Sequence, residues 1–295
     1  MQLQQLAYFV ALAEARHFTR AADQMDVAQP TLSQQIRALE RGLRTALVVR
    51  RPGNVELTAA GEELLPIARR ILAEADNARR TLAELADVKR GQVRLGATPS
   101  LCTGLIPQIV AEYHRDHPGV GIVITEGGSR DLQQRLAAGE LDLALIVDSR
   151  AQEDPHLTTT RLFVEELVVI SSPHDEPPTR RARIGVPQLR SKQLVMFREG
   201  YDLRETTIAA CREHGFEPAF AVEGGEMDAV LSLVAAGVGI AIVPSTVVDA
   251  DRFRVTRLTS PGLTRTVQLT RRDGIDLSRA AFELDRRFRA LGTTA

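Results

Sequence analysis

"AADQMDVAQPTLSQQIRALE", residues 21–40, sets two short helical patterns on either side of a tight polar connection, and Gln29-Pro30 opens the second. Proline has no amide hydrogen and a fixed φ, so a helix tolerates it only in the first turn; the second pattern therefore runs as a helix from about Pro30 to Leu43. Leu32, Ile36 and Leu39 share one side of that helix. Gln29, Thr31, Ser33, Gln34, Gln35 and Arg37 occupy its N-terminal half and outer surface. Amides, hydroxyls and a guanidinium pair with base edges or grip phosphates, and the N-terminal half of a recognition helix is the part that enters a major groove. The pattern predicts a helix-turn-helix, against the plainer alternative of a helical hairpin with a solvated polar face.

Outward from that stretch, Leu3, Leu6, Phe9, Val10 and Ala13 recur at helical spacing and predict a first helix with one buried face. Thr19 is placed to cap the second helix, and Asp26 to Ala28 to make the turn. Downstream, the β-prone Leu47-Val48-Val49, the turn former Pro52-Gly53-Asn54 and the alternating Val55-Glu56-Leu57 predict a hairpin wing. Arg50 and Arg51 at its turn would lie where a phosphate backbone runs. The candidate DNA-binding residues are thus Thr19, Gln29, Pro30, Thr31, Ser33, Gln34, Arg37, Arg50 and Arg51.

From Thr58 to Val88 the chain reads as one long helix, about 45 Å at 1.5 Å per residue. Leu64, Ala68, Ile71, Ala75, Ala78, Leu82 and Leu85 alternate spacings of four and three, the seam of a coiled coil. The expected use is dimerisation, since a helix-turn-helix reads two half-sites by two-fold symmetry; the alternative is packing against its own globular domain.

Composition bounds the rest. A chain of 295 residues with 44% hydrophobic content buries a substantial core and suggests about two domains. Net charge is −1, so attraction to phosphate must be local. The N-terminus lacks the basic start, continuous apolar centre and small-residue cleavage site of a signal peptide, and no apolar run spans a bilayer; the expectation is a soluble cytoplasmic protein with no membrane partner. Cys102 and Cys211 are far apart, without metal-ligand spacing. No HExxH, GxSxG or P-loop sequence appears, and the glycines of 237–244 follow a helix and read as packing, so no enzyme, metal or cofactor is expected.

These residues resemble the LysR-type transcriptional regulators. "FTRAADQMDVAQPTLSQQIRALE" is similar to that family's helix-turn-helix, "VELTAAGEELL" to its passage from wing to linker, and "PGVGIVITEGGSRDLQQRLAAGELDLALIV" and "VLSLVAAGVGIAIVPSTVV" to segments of its effector domain. Two places depart: Leu43-Arg44 stands where the family commonly has Leu-Gly, and Leu47-Val48 where it has Leu-Phe. The resemblance implies a sequence-specific regulator of double-stranded DNA, a dimer or tetramer acting on RNA polymerase, with a small-molecule effector.

Residues 91–295 independently alternate strand and helix: 92–97, 106–114, 121–126, 130–138 and 141–147, then 166–171, 193–197, 204–214, 219–223, 227–236 and 240–243, with strand 264–270 and helix 278–291 closing the chain. The alternation predicts parallel α/β sheet in two halves. The fold class expected is α/β with a winged helix-turn-helix at 1–57, a linker helix at 58–90 and an effector domain at 91–295. By resemblance that domain is two-lobed, like periplasmic binding proteins, with lobe one at about 91–162 and 265–295 and lobe two at about 163–264.

Ligands in open α/β sheets sit beyond the carboxyl ends of strands. Those ends supply Thr98, Ser100, Leu101, Cys102, Ser129 and Val147 in the first half, and Phe197, Arg198, Glu223 and Met227 in the second. The resemblance implies that the helices starting near Ser100 and Ser129 bind an effector's acidic group, with plain N-capping the alternative for each serine, and the mixed anionic and apolar character near Ser100, Ser129, Phe197 and Arg198 points to a small organic acid. A rival mechanism is a thiol redox sensor using Cys102 or Cys211. A second rival is a solute-binding protein with an accidental helix pair.

Overall fold

The computed structural model describes residues 1–51, 54–86, 91–147 and 154–292, without the side chains of 80, 81 and 83–86. Two compact units emerge, one built on Met1–Val88 and the other on Lys89–Leu136 with Leu141–Ala295. Among the described residues no helix is long and apolar enough to cross a membrane.

In the N-terminal unit α1 (Leu3–Ala15), α2 (Phe18–Gln24) and α3 (Gln29–Leu43) pack Leu6, Phe9, Leu12, Ala21, Ala22, Leu32, Ile36 and Leu39 into one core. Each of these is essentially removed from water, which supplies most of the stability of helices this short. Pro30 sits in the first turn of α3, as its missing amide requires. The cap of α2 differs from expectation: His17 is the N-cap, its Nδ1 accepting the Thr19 amide at 3.2 Å, and Thr19 lies one step inside the helix. An imidazole nitrogen does the work assigned to the hydroxyl because the helix begins earlier, at Phe18.

β1 (Val48–Arg51) and β2 (Asn54–Leu57) form the antiparallel wing, with Arg51 opposite Asn54. The expected turn residues Pro52 and Gly53 lie outside the described residues. Glu40 anchors the wing to α3, its carboxylate accepting the amides of Leu47 at 2.9 Å and Val48 at 3.3 Å. α4 (Ala59–Ala86) starts on Thr58, whose hydroxyl donates to the Ala46 carbonyl at 2.7 Å and accepts the Gly61 amide at 3.1 Å. A Cβ at Gly61 would sit 2.2 Å from the Leu47 carbonyl oxygen, so only glycine permits this approach of helix to wing. Residues 87–90 of the expected linker are outside the described residues. The Leu43-Arg44 departure has a backbone reading: Arg44 closes α3 in the left-handed region, at φ 56° and ψ 32°, where glycine is the residue without penalty.

The C-terminal unit holds an eight-stranded sheet. β3 (Gln92–Ala97), β4 (Gly121–Glu126) and β5 (Leu143–Val147) are parallel, crossed over by α5 (Pro99–Gly104) with α6 (Ile106–Asp116) and by α7 (Ser129–Ala137). β6 (Leu157–Ser171), β7 (Arg183–Ile184), β10 (Ala241–Pro244), β11 (Arg254–Leu258) and β12 (Leu263–Arg272) complete it, in the order β4-β3-β5-β12-β6-β11-β7 with β10 also on β6. β8 (Gln193–Phe197) and β9 (Ala219–Gly225) make a separate parallel pair, with α8 (Asp202–Glu213) between them in sequence and α9 (Met227–Ala235) following. α10 (Arg279–Leu291) ends the unit.

The expected parallel pairing holds among β3, β4 and β5 and between β8 and β9, while β6 pairs antiparallel with β10, β11 and β12. β6 begins at Leu157 rather than Glu166 and pairs antiparallel with β12 from Leu157 to Leu167. Its first half, Thr158 to Glu166, is mostly polar and carries little apolar signal, while β7 and β11 were not anticipated at all. The two long strands thread both hydrophobic cores: Leu162, Val267 and Leu269 belong with Val93, Leu95, Tyr113, Leu284 and Phe288, whereas Leu167 to Ile170 belong with Leu194, Phe197, Leu203 and Val230. The cleft between the cores is therefore bridged by continuous strands, on which Glu165 and Arg265 stand.

Candidate functional site

The outer surface of α3 is polar by geometry. Gln29, Pro30, Thr31, Gln34 and Arg37 are exposed, while Leu32, Ile36 and Leu39 on the opposite side are fully buried. Ser33 departs from the expected role. It is buried, and its hydroxyl accepts the Arg50 guanidinium at 3.0 Å, while that guanidinium lies over the Phe18 ring at 4.7 Å. A base-reading hydroxyl must be free; this one fixes a wing arginine against the recognition helix. Gln35 is likewise internal to the unit, accepting Gln5 Nε2 at 3.2 Å. Arg51 points the other way along the pleat and pairs with Glu56 at 3.0 Å. Thr19 is exposed on α2.

Two cations absent from the expected set, Arg41 and Arg44, are exposed at the end of α3. Across residues 16–51 seven arginines face three acids, a local charge of +4 in a chain whose total is −1. That local field attracts a polyanion without making the whole chain basic.

The stripe on α4 divides. Ala68 is buried in the N-terminal core, and Leu64 and Ile71 are half-buried against it. Glu14 on α1 and Arg69 on α4 add an ion pair at 2.7 Å. This first part therefore packs on its own domain, the alternative raised for the seam, because α1 offers a complementary apolar face. Ala75 is half-buried, Ala78 is exposed and Leu82 is 67% exposed. The side chain of Leu85 lies outside the described residues.

In the C-terminal unit Thr98, Ser100, Leu101, Ser129, Val147, Phe197 and Met227 are all buried, and Cys102 is half-buried. The hydroxyls of Thr98 and Ser100 approach within 3.5 Å. Ser129 Oγ accepts the Val147 amide at 3.1 Å and donates to Asp202 Oδ2 at 2.9 Å; the Ser129 amide lies 3.4 Å from the same oxygen. Two of the expected residues are engaged elsewhere: Arg198 pairs with Glu226, and Glu223 takes the Arg204 guanidinium at 2.9 Å on the surface. A strand-end position alone does not say whether a side chain turns into the cleft or along it.

Sequence reading missed Tyr201, Asp202, Glu165 and Arg265. Tyr201 is buried and stacked on Phe197 with centroids 4.6 Å apart. Glu165 Oε1 accepts Arg265 Nε at 2.8 Å and its terminal nitrogen at 2.5 Å, and Glu165 Oε2 accepts the Thr246 hydroxyl at 3.1 Å; both charged side chains are buried. Burial holds the Asp202 carboxyl above its ordinary range, against the lowering effect of the Ser129 hydrogen bonds and of Arg265. The one available signal was the acid in the first turn of α8, which reads as an ordinary helix-start charge. A cavity of about 1170 Å³ opens along α7 and α8, lined by Glu126, Ser129, Asp131, Arg198, Asp202 and Glu205 among others.

Both cysteines sit where the thiolate is disfavoured. Burial and the neighbouring Glu126 push the Cys102 thiol up to about 12, and burial and Glu217 push Cys211 up to about 11. The reactive species is the thiolate, and these environments suppress it.

The comparisons agree with this geometry. The family model described as the bacterial regulatory helix-turn-helix protein, lysR family, matches residues 3–62, and the LysR substrate binding domain model matches residues 86–290. A hydrogen peroxide-inducible genes activator from Dickeya chrysanthemi is 32% identical over 254 residues, 86% of this chain and 82% of that protein. The transcriptional dual regulator GltC of Bacillus subtilis is 32% identical over 246 residues, 83% of this chain and 81% of that protein. Among solved structures, a full-length OxyR variant from Pseudomonas aeruginosa matches with a TM-score of 0.71 at 31% identity over 98% of both chains. The LysR family regulator CbnR shares the fold, with a TM-score of 0.70 at 22% identity over 99% of both chains. With a helix-turn-helix model matching residues 3–62 and a substrate-binding domain model matching residues 86–290, the chain belongs to the LysR family of DNA-binding transcriptional regulators, not to the enzymes.

Proposed function

We propose that Gln29, Thr31, Gln34 and Arg37 read base edges in the major groove while Arg50 and Arg51 grip the flanking backbone, and that the protein does so as a dimer or tetramer in the cytoplasm. The observation that carries this reading is the row of exposed polar side chains on α3 directly opposite the buried Leu32, Ile36 and Leu39. The exposed seam residues Ala78 and Leu82 of α4 support the second copy, because apolar side chains left in water cost free energy that a partner helix removes. A small molecule bound between the lobes changes subunit geometry by preferring one lobe arrangement, and the changed geometry acts on RNA polymerase at the promoter.

The test is binding of the full-length protein to the duplex upstream of its own gene, titrated with salt against an unrelated duplex. The expected result is specific binding that weakens steeply with salt. Gln34→Ala should lose roughly 1–3 kcal/mol at the specific site and little elsewhere, whereas Arg51→Ala should weaken both duplexes alike. Equal losses on both duplexes for Gln34→Ala would remove it from the base-reading set.

A further inference from the structure

The segment joining β8 to α8 places three consecutive residues across the cleft. The Gly200 carbonyl oxygen lies 3.0 Å from where a Cβ at Gly128 would be, so the backbones of the two lobes meet there through glycine. Tyr201, only 3% exposed, stands beside Ser100, yet its hydroxyl is buried without a hydrogen bond of normal geometry. Asp202 then takes the hydroxyl and amide of Ser129.

The direction of that last contact is fixed by an obligate donor. The Val147 amide can only donate, so Ser129 Oγ accepts from it and its single proton is directed at Asp202. The first turn of α7 adds its own unpaired amide and positive end. Whatever occupies this position must therefore present an acceptor oxygen, and in this chain the occupant is a carboxylate from the opposite lobe.

We infer that the effector cleft carries its own ligand: Tyr201 and Asp202 fill the positions beside Ser100 and Ser129, and a small carboxylate acts on the protein by displacing the Asp202 side chain. This rests on the effector reading above, with the acidic effector already expected there, and adds to it the competition with Asp202. An acid that replaces Asp202 keeps the Ser129 hydrogen bonds but cuts the tether between lobes, since it is not attached to α8. The buried Tyr201 hydroxyl beside Ser100 offers such a ligand a second polar contact. Affinity measured for any acid is then reduced by the fraction of time in which Asp202 holds the site.

The experiment is acetate rescue in the full-length chain. Asp202→Ala removes the internal carboxylate and leaves a space of acetate's chemistry. Its thermal midpoint should fall by about 3–8 °C, from the loss of two hydrogen bonds to a charged group. Sodium acetate should raise it saturably, sodium chloride at equal ionic strength should not, and the wild type should not respond over the same range. Adding Ser129→Ala to the variant should abolish the rescue. Should Asp202→Ala be recovered unfolded, Asp202→Ser keeps a helix-start oxygen without the reach to Ser129 and gives the same readout. Acetate shifting wild type and variant equally, or shifting neither, would overturn the inference. The readout involves no DNA, so a protein that shows rescue but ignores its upstream duplex would lose the regulatory reading and keep the self-liganded cleft, and the reverse result would remove only the cleft.

Discussion

The surface of α3 and the cleft of the C-terminal unit are opposite solutions to binding. On α3 five candidate side chains stand in water, and the work of the fold is to keep them there by burying the other side of the helix. In the cleft Thr98, Ser100 and Ser129 are buried, and Ser129 is bonded to the opposite lobe through Asp202. A surface that docks on a rigid, highly charged duplex needs no closing motion, so it can be left open. A cleft that closes around a small molecule must satisfy its polar groups when that molecule is absent, because a buried donor left unpaired costs about 1–3 kcal/mol.

The contrast breaks most sharply at the cysteines. With burial and Glu126 raising it from an ordinary 9.0 to about 12, Cys102 carries roughly a thousandfold less thiolate than a free thiol at pH 8. Native iodoacetamide labelling should be slower by about that factor than labelling in urea, and should climb with pH up to the pH-12 region. Rapid labelling at pH 8, or peroxide-dependent loss of DNA binding that vanishes in Cys102→Ser or Cys211→Ser, would restore the thiol-sensing alternative.

The next largest effect lies on the strands that join the lobes. Arg265 and Glu165 form a buried ion pair, 5% and 3% exposed. Removing one member strands the other charge, which typically costs about 3–5 kcal/mol. Glu165→Ala should therefore unfold the C-terminal unit at markedly lower urea, while Glu165→Gln, which keeps a hydrogen-bond acceptor, should lose less. A wild-type midpoint in Glu165→Ala would mean that water reaches the pair.

How far each region could be read from residues follows from the same contrast. The N-terminal unit was legible because its information is periodic: Leu32, Ile36 and Leu39 return every three or four residues, and Pro30 marks a start. What escaped were the ties between elements, such as Ser33 to Arg50 and Glu40 to the wing amides, since a serine or glutamate on a helix looks the same whether it faces water or a strand that arrives later. In the C-terminal unit most strands and helices were placed to within a few residues, but β6 was cut short because its first half is polar and edge-like in pattern. Asp202 escaped because its partner Ser129 is 73 residues away and nothing local to either residue points to the other.

Ser33 and Arg50 allow the boundary between open surface and internal tie to be measured. Arg50→Ala should weaken all duplexes by about 1–2 kcal/mol and reduce the slope of log affinity against log salt by about 0.9, one phosphate contact. If Ser33 works through Arg50, Ser33→Ala weakens binding in the wild type and has almost no further effect in Arg50→Ala, a coupling that a double-mutant cycle reads directly. Additive losses would instead show Ser33 contacting DNA itself, as its place in the sequence first suggested.

The smallest expected effect concerns Arg44, where the family commonly carries glycine. Its left-handed backbone, φ 56°, costs a non-glycine residue about 1–2 kcal/mol, part of which glycine would return as extra freedom in the unfolded chain. Arg44→Gly should therefore stabilise the N-terminal unit by about 0.5–1 kcal/mol, visible as a rise of roughly 2–6 °C in its thermal midpoint. The same change removes an exposed cation at the end of the recognition helix, one of seven arginines between residues 16 and 51. If that charge lies near the phosphate backbone, the variant is both more stable and a weaker binder, with a salt slope lower by up to about 0.9. A more stable variant with unchanged salt slope would mean that the strained backbone is maintained for no electrostatic return on DNA, and that the exposed face of α3 ends before Arg44.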